Sequence, residues 1–258
     1  MATRNFYSQG AKMVELKIDG IGREGDGFAK LDGQPVHIPF ALPGETVSAV
    51  QTGKSWRLDK ILTNSPDRVE APCPHFGACG GCQMQHMADE PYQKWKLDLI
   101  TRALSKHDID VDIEGPVTFP PNTRRKVTFQ ATSIDGKVVL GFSERSSHRI
   151  IPVSGCAILH PDISSRLDNL RRLLEPVATG NSVIRVSVLT TEKGLDVQLS
   201  NMKAISTEQE NQLARRVVEL GFPRVSLDDE IILEPAKPII QRRQQSNKMS
   251  LFSGYSIE

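Results

Sequence analysis

Four cysteines hold the residues most suited to chemistry in this sequence. Cys73, Cys79 and Cys82 fall in the run APCPHFGACGGCQMQH as Cys-x5-Cys-x2-Cys, and Cys156 stands alone far downstream in PVSGCAILHP. A Cys-x2-Cys turn aims two thiolates at one centre, and Gly80 and Gly81 permit tight backbone approach there. The cysteine five residues upstream can close the loop, and the remote one can staple a second segment to it. Both zinc and an iron–sulfur cluster accept four thiolates. The plainer alternatives are a structural zinc, a disulfide pair, and unconnected cysteines in the core. His75, His86 and His160 lie close enough in sequence to replace a ligand in a zinc site, although isolated histidines near turns are more often solvated. There is no fifth cysteine. If all four bind one centre, none is left to act as a nucleophile.

Length and composition frame this site. A chain of 258 residues can hold one large or two modest domains, and 38% hydrophobic with 24% charged residues is ordinary for a soluble globular protein. No apolar run approaches the roughly 20 residues of a membrane helix. The start MATRNFYSQGAK lacks the apolar centre of a secretory signal. The expectation is a cytoplasmic protein in a reducing compartment, where thiolates can hold a metal. The net charge of +1 is unevenly spread. The first 72 residues carry nine basic and nine acidic side chains, whereas residues 121–150 carry six basic against two acidic ones. That middle patch is either a phosphate-contact surface or a solvated strand face.

The elements that must position these residues can be read from pattern. Residues 1–11 read as a disordered lead. Residues 12–70 read as short strands with glycine turns, as in MVELKI, QPVHIPF and ETVSAVQ, which suggests a small antiparallel barrel. Gly20-x-Gly22-x-x-Gly25 matches a dinucleotide fingerprint only as a string, because GDGFAKLDGQP cannot open the helix that the fingerprint needs. Residues 71–105 carry the cysteine loop and a helix capped by Asp89, with Pro91 in its first turn. Tyr92, Trp95, Leu99, Ala103 and Leu104 form its packing stripe. From 125 the pattern returns to strands (RKVTFQA, KVVLGF, HRIIPV). One helix then follows Pro161, through Ile163, Leu167, Leu170 and Leu174. VIRVSVLT and LDVQLS are strands, Ser206 and Gln209 form a capping box, and Gly221 closes that helix. With PRVSL and IILEP, this second part reads as α+β with a mostly antiparallel sheet.

Residues 12–235 resemble the N-terminal and central parts of the bacterial iron–sulfur RNA uracil-C5 methyltransferases, which form 5-methyluridine. DGIGREGDGFAKLDGQPVHIPFALPGE resembles their TRAM domain, an OB-like RNA-binding barrel. CPHFGACGGCQMQH with YQKWK resembles their cluster loop and helix. NTRRKVTFQ and GFSERSSHRIIPVSGCAILHP resemble their central domain. The resemblance implies a [4Fe–4S] cluster on Cys73, Cys79, Cys82 and Cys156, with zinc as the alternative. It also implies a bound RNA, ribosomal rather than transfer, with no membrane or DNA partner.

The family mechanism adds a cysteine thiolate to C6 of uracil, methylates C5 from S-adenosylmethionine, and then removes the C5 proton. The target base must leave its stack. A Rossmann-like domain supplies the cofactor loop, nucleophile and base in that family, and none of these is expected in this chain. After residue 200 the only glycines are Gly221 and Gly254. The chain alone is therefore expected to be inactive, with 236–258 an irregular tail left by truncation of the catalytic domain. The alternative is a stand-alone, non-catalytic, metal-stapled RNA-binding protein. A radical enzyme pairing a cluster with a TRAM domain is disfavoured, because its Cys-x3-Cys-x2-Cys spacing differs. Candidate RNA contacts are Arg124 and Lys126 on one strand face, and Phe142, Arg145 and His148 around GFSERSSHR. In the barrel the candidates are Lys30 and Arg23.

Overall fold

The computed structural model describes residues 12–240 apart from 181 and 229. The expected lead 1–11 and the tail beyond 240 lie outside the described residues. Two compact units divide the chain. One runs up to Thr123 and takes in Leu140–Leu159; the other comprises Arg124–Val139 and the chain from His160 onward. The chain thus passes into the second unit, returns to the first, and leaves again. The first unit holds both the segment 12–70 and the cysteine loop that follows it.

The first unit opens with β1 (Met13–Lys17), β2 (Gly20–Ile21), β3 (Gly27–Leu31), β4 (Gln34–Ile38), β5 (Thr46–Thr52) and β6 (Ser55–Thr63). Their ladders form two three-stranded sheets, β1-β5-β6 and β2-β3-β4, in the segment read as a small antiparallel barrel. Both sheets face one core of Leu16, Ile18, Ala29, Ile38, Ala41, Val47 and Ala49. Alternation along each strand puts these residues on one face. The glycine string is a turn between β2 and β3, as its lack of helical pattern required.

Next come the cysteine loop and α1 (Asp89–Ser105). Ala88, not Asp89, is the N-cap, and no side chain caps the helix. Asp89 instead sits in the first turn, where a negative charge suits the helix dipole. Tyr92 and Trp95 pack on Leu42, Met84 and Met87, and the Trp95 indole N–H donates to the Gly22 carbonyl at 3.3 Å. Of the expected stripe Leu99 and Leu104 are also half-buried, whereas Ala103 is exposed, and no residue of α1 is fully buried.

The second unit contains β7 (Lys126–Ile134) and the start of β8 (Lys137–Ser143); the rest of β8 and β9 (Ile150–Pro152) belong to the first unit. The single helix expected after Pro161 is two, α2 (Pro161–Ser164) and α3 (Leu167–Leu174), because Arg166 leaves helical geometry at φ −111° and ψ 15°. Its guanidinium donates to the Leu220 and Gly221 carbonyls and lies over the Phe222 ring. The chain continues through β10 (Ile184–Thr191), β11 (Gly194–Ser200), α4 (Thr207–Glu219), β12 (Arg224–Leu227) and β13 (Glu230–Leu233). Within this unit the strand order is β13-β12-β11-β10-β7, antiparallel except for the parallel pair β11–β12. The α+β, mostly antiparallel expectation therefore holds. Val127, Phe129, Val186, Val188, Val197 and Leu199 face the helices and are buried.

Candidate functional site

The cysteine loop is built against the end of β8. The Gly80 N–H donates to the Ser143 carbonyl at 2.9 Å, and Cys79 forms a bridge with Glu144. Behind the loop, the Cys79 N–H donates to the His75 carbonyl at 2.8 Å and the Phe76 N–H to that of Cys73 at 3.0 Å. A Cβ on Gly80 would stand 2.8 Å from the Ser143 oxygen, so only glycine allows this approach. Cys156 belongs to the excursion Leu140–Leu159 that returns to this unit.

None of the four cysteines is in a disulfide, and each is half-buried. Burial pushes the Cys79 thiol up. The Gly81 N–H, 3.4 Å from its sulfur, pulls it down, while charge on Cys73 and on Cys156 pushes it up again. Cys156 therefore lies within electrostatic reach of the loop, although it is remote in sequence. Among the described residues, no three His, Cys, Asp or Glu side chains are gathered at the spacing that one metal ion requires.

The histidines near the loop are placed differently from zinc ligands. His86 is 3% exposed and has the rings of Phe40 and Phe76 at 6.0 and 5.2 Å. Burial, helped by the nearby Arg68 charge and opposed by Glu45, lowers its pKa to about 4. It is a neutral core side chain. His160 accepts from the Asp162 N–H at the start of α2. Buried Nε2 of His75, both amide atoms of Gln85 and both ring nitrogens of His86 have no protein partner. His75 lies within the cysteine loop, and Gln85 follows it in sequence. Pattern gave no sign of the ion pair beneath the loop, where buried Glu45 accepts from Arg68 Nη2 at 2.9 Å and from the Leu42 N–H at 2.9 Å. Arg68 Nη2 also donates to the Phe40 carbonyl at 2.7 Å. Nothing in the sequence distinguishes this glutamate, in the turn LPGE, from a solvated one.

The candidate RNA contacts separate into two groups. Arg145 is engaged within the fold: Nη2 donates to both Asp26 carboxylate oxygens at 2.7 and 2.8 Å, and the guanidinium lies 5.4 Å from the Phe40 ring centre. Phe142 is half-buried beside Gly81. His148 is exposed in the following turn, and Lys30 and Arg23 are exposed in the first sheet region. Arg124 precedes β7, and its carbonyl accepts from the His160 N–H at 2.9 Å. Lys126 opens β7 on the exposed face, with Thr128 and Gln130. Across the ladder, Gln130 faces Arg185, an exposed cation that the sequence reading passed over. The alternation in VIRVSVLT could have identified it, since it places Arg185 on the polar side.

Residues 10–50 match the family model of the TRAM domain. An uncharacterized RNA methyltransferase of Brucella suis is 38% identical over 89% of this chain and 55% of its own length. A 23S rRNA (uracil(1939)-C(5))-methyltransferase of Methylococcus capsulatus is 28% identical over 80% of this chain and 48% of its own length. Among solved structures, a Pyrococcus abyssi tRNA (uracil-54, C5)-methyltransferase in complex with S-adenosyl-L-homocysteine superposes with a TM-score of 0.54. It is 16% identical, over 89% of this chain and 55% of that one, so the likeness is one of fold. The chain spans about half the length of the relatives it matches.

Proposed function

We propose that this chain is the RNA-holding portion of an S-adenosylmethionine-dependent RNA uracil-C5 methyltransferase, acting on ribosomal rather than transfer RNA. In this reading Cys73, Cys79, Cys82 and Cys156 ligate a [4Fe–4S] cluster. One observation carries it: Cys156 comes back to the cysteine loop within one compact unit that also holds the TRAM match. The donor set fits the group. The four thiols are outside disulfides, and Cys79 lies within electrostatic reach of Cys73 and Cys156. A single zinc would draw its sulfurs to about 3.8 Å from one another, given Zn–S bonds of about 2.3 Å. A cluster spaces them more widely, because each thiolate binds its own iron. Unpartnered His75 and Gln85 side-chain atoms, within the loop and just after it in sequence, are further polar groups that a bound centre can satisfy.

The chain's own residues have structural and binding roles in this reading. Gly80 and Ser143 dock the cysteine loop, and Arg145 with Asp26 fastens the β8–β9 turn to the TRAM region. When bound, the cluster supplies four sulfur–iron links that clamp the loop to the segment around Cys156. Lys30, Lys126, Arg124, His148 and Arg185 are the phosphate contacts. S-adenosylmethionine supplies the methyl group in enzymes of this kind, and no residue of this chain is assigned to that transfer.

Binding of a uridine-containing single-stranded RNA, followed by fluorescence anisotropy from 50 to 200 mM salt, tests the reading. The four lysine and arginine contacts predict a roughly 50-fold loss of affinity over that range. Binding without dependence on salt, or none at 50 mM, would overturn it. Methyl transfer by this chain with the cofactor added would overturn the assignment of catalysis outside its residues. Salt-dependent binding with no catalytic partner region in the parent protein would instead favour a non-catalytic RNA-binding protein.

A further inference from the structure

We propose that the outward face of β2-β3-β4 is a base-stacking platform for single-stranded RNA, with Phe28 and His37 as the stacking pair and Lys30 as its phosphate contact. The inference rests on the RNA-holding reading above. Strand alternation defines the face. On β3, Gly27 and Ala29 are buried, whereas Phe28 is half-buried and Lys30 exposed. On β4, Ile38 is buried and Val36 packs on the core, so Pro35 and His37 turn outward. The ladder then pairs Phe28 with His37 and Lys30 with Pro35, which puts the four side chains side by side.

Glycines clear the floor of this platform. Gly20 lies opposite Phe28, and a Cβ there would stand 2.5 Å from the ring. The ring therefore occupies the space that a Gly20 side chain would fill. At Gly22 a Cβ would stand 3.3 Å from His37 Nδ1, so the imidazole is seated over backbone in the same way. A side chain larger than hydrogen at Gly20 would lift the ring from its seat.

The charge of the face suits a polyanion. None of β2, β3 and β4 contains Asp or Glu, whereas β1 and β6 of the other sheet carry Glu15 and Asp59. Carboxylates occur at the ends only: Asp19 precedes β2, Glu24 shares the β2–β3 turn with Arg23, Asp26 before β3 is paired with Arg145, and Asp32 lies in the β3–β4 turn. An aromatic ring, an imidazole, a proline and an ammonium, with no carboxylate among them, match what unpaired bases and their phosphates require. Duplex RNA hides its base faces and cannot use the ring.

The test uses a short single-stranded oligouridine carrying one 2-aminopurine, bound to the full chain. Affinity, quenching of the probe and the slope of log K against log salt are read together. Phe28→Leu keeps apolar bulk without a ring and should weaken binding roughly tenfold with the salt slope unchanged. Gly20→Ala should do the same without touching the ring's chemistry, and Phe28→Trp should restore binding and quenching. Lys30→Gln should lower the salt slope by about 0.7. Wild-type binding with an unchanged affinity in Phe28→Leu and Gly20→Ala, both folded by thermal melting, would overturn the platform and leave the RNA-holding reading standing. Equal weakening of duplex RNA would overturn stacking as its basis. No binding by the wild type would overturn the RNA-holding reading and the platform together.

Discussion

At the scale of single residues, close approach decides the cysteine centre as much as the cysteines do. Gly80 faces the Ser143 carbonyl with no room for a methyl group. Gly80→Ala must push the loop off the end of β8, and with it Cys79. The expected outcome is a folded chain that retains less than half of the wild-type metal, measured by elemental analysis after anaerobic purification. Undiminished metal content would contradict the docking of the loop. The cysteines themselves stand out in sequence by their Cys-x2-Cys spacing beside glycines. Arg145 was not. Its partner Asp26 lies 119 residues away, and no local pattern reports a long-range ion pair. The same basic residue reads as an RNA contact in sequence and as a fastener in the fold.

At the scale of elements, buried His86 makes a pH signature. Unfolded, a histidine takes a proton near 6.5; in the fold this happens only at about 4. Between those values the unfolded state binds the extra proton, so stability falls as pH falls from about 6.5 to about 4, by ~3 kcal/mol across the window. Glu45 has its pKa held below the usual carboxylate value by Arg68 and the Leu42 and Ser65 N–H groups, against burial. It adds a further loss at the acid end, as it becomes protonated. Urea midpoints at pH 7, 5.5 and 4.5 should decline in the wild type, and the decline from pH 7 to 4.5 should shrink in His86→Phe. An identical decline in that variant would rule out His86 as its source. In the second unit, α4 begins with a complete capping box, Ser206 Oγ accepting from the Gln209 N–H and Gln209 Oε1 from the Ser206 N–H. Ser206→Ala should cost about 1 kcal/mol in chemical unfolding. That box was readable in sequence because its chemistry is local, as were most strands from their alternation. The break between α2 and α3 was not, since Arg166 is drawn out of helical geometry by carbonyls and a ring that lie more than fifty residues away. The α1 stripe failed at Ala103 for a related reason: apolar spacing shows which residues share a face, but not how far a partner surface extends along it.

At the scale of the whole molecule, the chain threads between two compact units, and this threading brings Cys156 back to the cysteine loop. A sequence reading can place three ligands in one loop but has no local signal for the fourth. The resemblance proposed it, and Leu140–Leu159 falls in the same unit as the cysteine loop. No helix among the described residues is long and apolar enough to cross a membrane. The basic side chains are divided between the units, with Lys30 in the first and Lys126 and Arg185 in the second. What the four cysteines hold decides between a cluster, a zinc and no metal. Iron, zinc and acid-labile sulfide should therefore be measured per chain in protein prepared without oxygen, alongside Cys156→Ser. The account predicts about four irons and about four sulfides per wild-type chain, and loss of most of both in the variant. One zinc per chain, or the same iron content in Cys156→Ser, would contradict it.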